Sequence, residues 1–141
     1  MLIDQVSAFI ENKPGRLVEI LTLLGEGGID LRAYSVAETT EFGILRMLVD
    51  RPEDAVALLK AQGFRANKTE ILGVAIPHVP GSSVAVLQVL SDAGINVEYT
   101  YAFVTPGAGD ALLFLRVENN TAAQAALCAA GISLSEVKML Y

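Results

Sequence analysis

The sequence predicts an α+β protein built as two copies of one βαββαβ unit, and three observations predict it. The first is an internal repeat: at a shift of 66 positions Pro14-Gly15 falls on Pro80-Gly81, Val18 on Val84, Leu21 on Leu87, Leu24 on Leu90 and Gly28-Ile29 on Gly94-Ile95. At a shift of 68 the match resumes, with Leu45 on Leu113, Val49 on Val117, Leu59 on Leu127, Gly63 on Gly131 and Leu72 on Leu140. Two copies of this length are two small domains, since a solenoid needs at least three repeats. The second is that apolar spacing switches within each copy between the period of a strand and that of a helix. The third is that Pro and Gly stand where those periods change.

The elements follow in order. Ile3 to Glu11 reads as a strand. Pro14-Gly15 opens a helix with Leu17, Ile20, Leu21 and Leu24 at i, i+3, i+4 and i+7, and Asn12 is its expected N-cap. That helix stops at Gly27-Gly28, which can take a left-handed conformation. Ile29 to Glu38 and Ile44 to Val49 read as strands joined by a turn at Gly43. Pro52 starts a second helix with Ala55, Leu58 and Leu59 on its apolar face, Gly63 ends it, and a strand follows around Lys68 to Gly73. The second copy repeats the order: a strand to Pro77, a helix from Pro80 to Ala93, and a strand from Ile95 to Val104. A hairpin at Pro106 to Asp110, a strand from Ala111 to Val117, a helix from Thr121 to Ala130 and a strand ending at Tyr141 complete it. The two extra residues of the second copy fall in its hairpin, where insertion costs little. This is the split βαβ order. Domains at 1–70 and 71–141 follow, with one continuous strand expected through their junction.

Composition narrows the function. At 52% hydrophobic and 18% charged the chain can bury a core. No stretch reaches the 18 apolar residues of a membrane span, and Met1 to Glu11 does not read as a secretory signal, so a cytoplasmic protein with no membrane partner is expected. A net charge of −6 with ten scattered basic residues argues against nucleic acid. The single cysteine, Cys128, excludes an intrachain disulfide and reads as a small buried hydrophobe.

Catalytic chemistry is thin. His78 is the sole histidine, no His/Cys cluster suggests a metal, and no nucleophile–base motif is present. Gly25-Glu26-Gly27-Gly28 lacks the setting of a dinucleotide loop, and Gly107-Ala108-Gly109 reads as a hairpin turn. Tyr99, Tyr101 and Phe103 alternate along one strand and, without flanking cations, read as core or interface. Neither a cofactor nor an enzyme is expected.

Two loops stand out. Asn12-Lys13-Pro14-Gly15 and His78-Val79-Pro80-Gly81 each put a polar side chain two residues before Pro and a Gly at a helix start. Helix N-termini present unpaired N–H groups suited to a carboxylate. Asp30 and Asn96 open the next strand in each copy, where a carboxylate or amide can hold an ammonium group. Helix caps and turn residues are the alternative reading of the same four positions.

Together these motifs resemble the ACT domain, with its Asn/Asp-x-Pro-Gly loop and its Gly-Ile/Val-Asn/Asp step, over essentially the whole chain. The resemblance implies two tandem ferredoxin-like domains, their antiparallel sheets joined side by side with helices on one face, acting as a non-catalytic regulator. It also implies a free amino acid as effector, bound at the seam between the Pro-Gly loop of one domain and strand two of its neighbour. The site residues it carries over are Asn12, Pro14, Gly15, Arg16 and Leu17, with Ile29, Asp30 and Leu31, in copy one. In copy two they are His78, Pro80, Gly81 and Ser82, with Ile95, Asn96 and Val97. One site would join Asn12 and Gly15 to Asn96, the other His78 and Gly81 to Asp30. His78 stands where the family has Asn or Asp, which sets the sites apart: imidazole replaces an amide only in part and can make that site responsive to pH. A homodimer, packed through the apolar sheet face away from the helices, is expected. A regulatory subunit docking on an amino-acid biosynthetic enzyme, or a small enzyme on this scaffold, are the other readings.

Overall fold

The computed structural model describes residues 2–104, 109–132 and 134. The elements are β1 (Leu2–Glu11), α1 (Arg16–Glu26), β2 (Leu31–Glu38), β3 (Phe42–Val49), α2 (Pro52–Ala61), β4 (Arg65–Pro77), α3 (Ser82–Asp92), β5 (Val97–Val104), β6 (Asp110–Val117) and α4 (Asn120–Ala129). The chain divides into two compact units, one of Asp4–Thr69, the other of Leu2, Ile3 and the described residues from Glu70 onward. The expected last strand and most of the expected Pro106–Asp110 hairpin lie outside the described residues.

In the first unit the strand order is β2-β3-β1-β4. Antiparallel pairing sets Val6 opposite Met47 and Ala8 opposite Leu45, so Val6, Ala8 and Ile10 share a face with Leu45, Met47 and Val49. That face packs on Ile20 and Leu24 of α1 and on Ala55 and Leu59 of α2. Each of the larger side chains contributes about 2 kcal/mol by leaving water. The α1 residues are those of the helical stripe, and Pro52 occupies the first turn of α2, where its missing N–H costs nothing.

The second unit repeats the plan with strand order β4-β6-β5. Leu72, Val74 and Ile76 of β4 and Leu113, Leu115 and Val117 of β6 pack on Val86 and Leu90 of α3 and on Ala123 and Leu127 of α4. Strand β4 is one unbroken element of 13 residues. The sheet face away from these helices is not bare. Phe114 lies on it and is fully buried, with the Tyr101 ring centroid 5.2 Å from its own.

Three sequence expectations need correction. Cys128 is exposed. The buried stripe of α4 is Ala123 and Leu127, and the next residue along points some 100° away from it. Strands β2 and β5 begin at Leu31 and Val97, two residues later than expected, because Gly28 and Gly94 (φ 68° and 71°) turn the chain out of each helix before pairing starts. Asn12 is not the cap of α1. That position belongs to Gly15, and no side chain hydrogen-bonds there.

Candidate functional site

The two Pro-Gly loops are the same structure twice. The N–H of Asn12 donates to the Glu41 carbonyl at 2.9 Å, and that of His78 to the Gly109 carbonyl at 3.0 Å. Lys13 N–H reaches the Glu11 carbonyl and Arg16 N–H the Lys13 carbonyl; Val79 reaches Pro77 and Ser82 reaches Val79 in the same way. Gly15 (φ 87°, ψ −15°) and Gly81 (φ 83°, ψ −2°) then cap α1 and α3 in the left-handed region. An L side chain there is strained although the space is open, with nothing within 4 Å of a Cβ built at either. No side chain caps either helix. The N–H groups of Leu17 and Val18 have no partner among the described residues, nor do those of Gly81 and Ser83. A carboxylate fits such an end.

The side chains around the two loops differ. Asn12 Nδ2 donates to the Thr39 carbonyl at 3.3 Å, tying the loop to the β2–β3 turn. Arg16 is held by Glu19 at 3.0 Å and lies 3.7 Å from Glu11, which also pairs with Lys13 at 2.8 Å. The hydrogen bond from Lys13, with the charges of Lys13 and Arg16, holds the Glu11 carboxyl below the usual carboxylate range. Bonding to Glu19 raises Arg16 further above its usual value. In copy two these cations are absent, and Ser82 Oγ donates to the Val79 carbonyl at 2.8 Å. His78, Pro80 and Gly81 are exposed.

The strand-opening residues sit at the far end of each helix. Eleven residues of α1 separate Gly15 from the turn before Asp30, about 16 Å at 1.5 Å per residue. Asp30 therefore does not meet Asn12 within the first unit, nor does Asn96 meet His78 within the second, where α3 is equally long. Asp30 Oδ2 lies 3.0 Å from Arg32 Nε, in an ion pair whose angle falls short of a hydrogen bond. The Asp30 N–H donates to Asp50 Oδ1 at 2.9 Å. Ile29 is buried, Leu31 half-buried against the first core, and Ile95 and Val97 half-buried against the second. Asn96 is exposed and borders two concavities, one with Leu87 and Ser91, the other with Glu98, Glu118 and Asn119.

Sequence reasoning missed one feature of the first unit. Phe9, Phe42 and Phe64 line a concavity of about 270 Å³ with Glu11, Arg16 and Arg65. Only Arg16 of that set was singled out, because strand and turn residues from three segments carry no common spacing. Among the described residues, no group of three His, Cys, Asp or Glu side chains could hold a metal ion. No helix among them is long and apolar enough to cross a membrane.

Two βαββ-containing units, each with a glycine-opened helix above a curled antiparallel sheet, define a tandem α+β domain pair. The ACT domain pair family matches residues 1–140, and the chain belongs to that family. Protein BT0572 from Bacteroides thetaiotaomicron is 36% identical in its crystal structure, with 94% of this chain and 91% of that one covered at a TM-score of 0.87. The ligand-free regulatory subunit of aspartate kinase from Thermus thermophilus has the same fold at 20% identity, covering 90% of this chain and 91% of that one at a TM-score of 0.65. The regulatory subunit of aspartate kinase from Thermus flavus does so at 19% identity, covering 93% and 95%, with a TM-score of 0.64. No curated protein matches this chain.

Proposed function

We propose that this chain is a non-catalytic regulatory protein of two ACT domains, residues 1–70 and 71–141, that binds a free amino acid. The observation that carries the reading is the pair of glycine-capped helix entries. Gly15 and Gly81 leave N–H groups unfilled at two equivalent points, in a chain of a family whose members are regulatory. The α-carboxylate sits on those N–H groups, with Asn12 or His78 beside it. The α-ammonium meets Asp30 or Asn96. In this reading each complete site takes its loop from one domain and its strand start from the other. Binding that ties domains together shifts a conformational or assembly equilibrium by as much as its affinity differs between the states.

A second reading, docking on a biosynthetic enzyme or on a second copy of the chain, is favoured by strand β2. Among the described residues it pairs only with β3, and its Tyr34 and Val36 are 50% and 43% exposed. The regulatory subunits of aspartate kinase with this fold are consistent with such a role.

The experiment is a thermal-shift screen of the twenty amino acids followed by calorimetry. A ligand at a hundred times its dissociation constant adds about 2.7 kcal/mol, a rise of several degrees. No shift with any amino acid removes the sensor reading and leaves the docking one.

A further inference from the structure

The two copies treat the end of their first helix differently. In copy one, Arg51 Nη2 donates to the carbonyls of Gly27 and Gly28, at 3.1 and 2.8 Å. Its guanidinium closes the C-terminal end of α1, where the helix dipole is negative. It packs so near that a Cβ on Gly28 would stand 3.5 Å from Nη2.

In the repeat, Gly27 and Gly28 correspond to Ala93 and Gly94, and Arg51 corresponds to Asn119. Asn119 turns the other way and caps α4, its Oδ1 accepting from the Ala122 N–H at 3.0 Å. Where the guanidinium stood there is a cavity of about 190 Å³, bordered by Gly94, Asn96, Glu98, Glu118 and Asn119. A water's share of liquid is about 30 Å³, so the space exceeds that of several waters. A Cβ on Gly94 would meet nothing within 4 Å. The acceptors remain: the carbonyls of Ala93 and Gly94 take no backbone hydrogen bond among the described residues. Glu98 is answered by Arg116 at 3.4 Å. Glu118, which replaces Asp50, is exposed and has no ion-pair partner among the described residues.

We propose that this cavity of the second unit binds a guanidinium group supplied from outside, in the place that Arg51 fills in the first. The helix-end carbonyl of Gly94 and the Glu118 carboxylate, both bordering the cavity, accept its N–H groups, and its planar fork suits that pair better than a point-charge ammonium does. The inference does not rest on the amino-acid reading, although Asn96 borders both sites. A free arginine-like metabolite and an arginine on a docking chain offer the same group.

The test is an amide NMR titration of the full chain with methylguanidinium chloride, which has neither α-carboxylate nor α-amine. The expected result is a saturable shift of the Asn96, Glu118 and Asn119 signals. Glu118→Gln should weaken binding several-fold, and Asn119→Arg, which restores the arrangement of copy one, should abolish it. L-arginine and N-acetyl-arginine amide then separate the sources: tighter binding of the free amino acid points to a metabolite, equal binding to an arginine within a chain. Absence of saturable shifts at these residues overturns the proposal, as does undiminished binding in both variants. Failure with methylguanidinium alongside a hit in the amino-acid screen rejects this site and leaves the regulatory reading intact.

Discussion

Asp30 and Arg32 form an ion pair across the start of β2, Oδ2 to Nε at 3.0 Å, and the repeat does not conserve it. The corresponding residues are Asn96 and Glu98, and Glu98 turns instead to Arg116 of β6. The two strand openings therefore present different charges. An ammonium arriving at Asp30 must share the carboxylate with Arg32; one arriving at Asn96 meets an amide with acids around it.

Replacing Asp30 should separate binding from stability. Its pair is solvent-exposed, and such pairs contribute about 0–1 kcal/mol. Asp30→Ala is expected to leave the melting temperature within a few degrees and to weaken the amino-acid ligand about tenfold, read by melting and calorimetry. Unchanged affinity would remove Asp30 from the site.

Gly15→Ala and Gly81→Ala test the helix entries. Each places a Cβ at a φ near +85°, without a clash. Left-handed backbone costs an L residue about 1–2 kcal/mol. Urea unfolding should show each variant less stable by about 1 kcal/mol, and both should lose ligand affinity as the entry reshapes. Full stability in either variant would show that the left-handed turn is not required there.

Arg51→Ala removes two charge-assisted bonds to helix-end carbonyls, the exposed 3.0 Å bond to Asp54 and a cation at the C-terminus of α1. Because the side chain is partly exposed, the expected loss is about 1 kcal/mol, measured by denaturant unfolding. Arg51→Lys should recover part of it, since an ammonium supplies the charge without the fork. Equal loss in both variants would assign the effect to guanidinium geometry alone.

Lys68 bridges three elements, its Nζ 3.1 Å from Asp4 of β1 and bonded to Glu53 of α2. Its bond to Glu53 holds that carboxyl below its usual range, and the bonds to Glu53 and Asp4 raise Lys68. The Glu53 contribution is complete above its unfolded value and is lost as pH falls through its lower folded one. The Lys68 contribution is complete below its unfolded value for as long as its carboxylate partners stay ionised, and is lost as pH rises through its higher folded one. Lys68→Met should therefore be less stable than the parent at pH 7, with the difference vanishing in acid. A difference independent of pH would make the effect one of packing.

How much was legible beforehand depends on how local the cause is. The stripe Leu17, Ile20, Leu21 and Leu24 announced α1, Pro52 announced the start of α2, and Gly28 announced a left-handed turn, because helical period and backbone sterics act within a few residues. The doubled plan was legible for the same reason, copy by copy. Asn12 was misread because its partner, the Thr39 carbonyl, lies 27 residues away. Cys128 was misread because one residue of helical rotation decides between core and water.

By itself, then, the sequence determined the tandem βαββαβ plan and the two Pro-Gly helix entries, through short-range periodicity and turn chemistry. Only the tertiary structure decided which side chains are already engaged: Asp30 on Arg32, Asn12 on the β2–β3 turn, Arg51 on the end of α1. It also decided that Asn119 leaves open the place Arg51 fills. The reason is physical. A side chain's hydrogen-bond partner is chosen by which segments folding brings within about 3 Å, and no spacing along the chain encodes that distance.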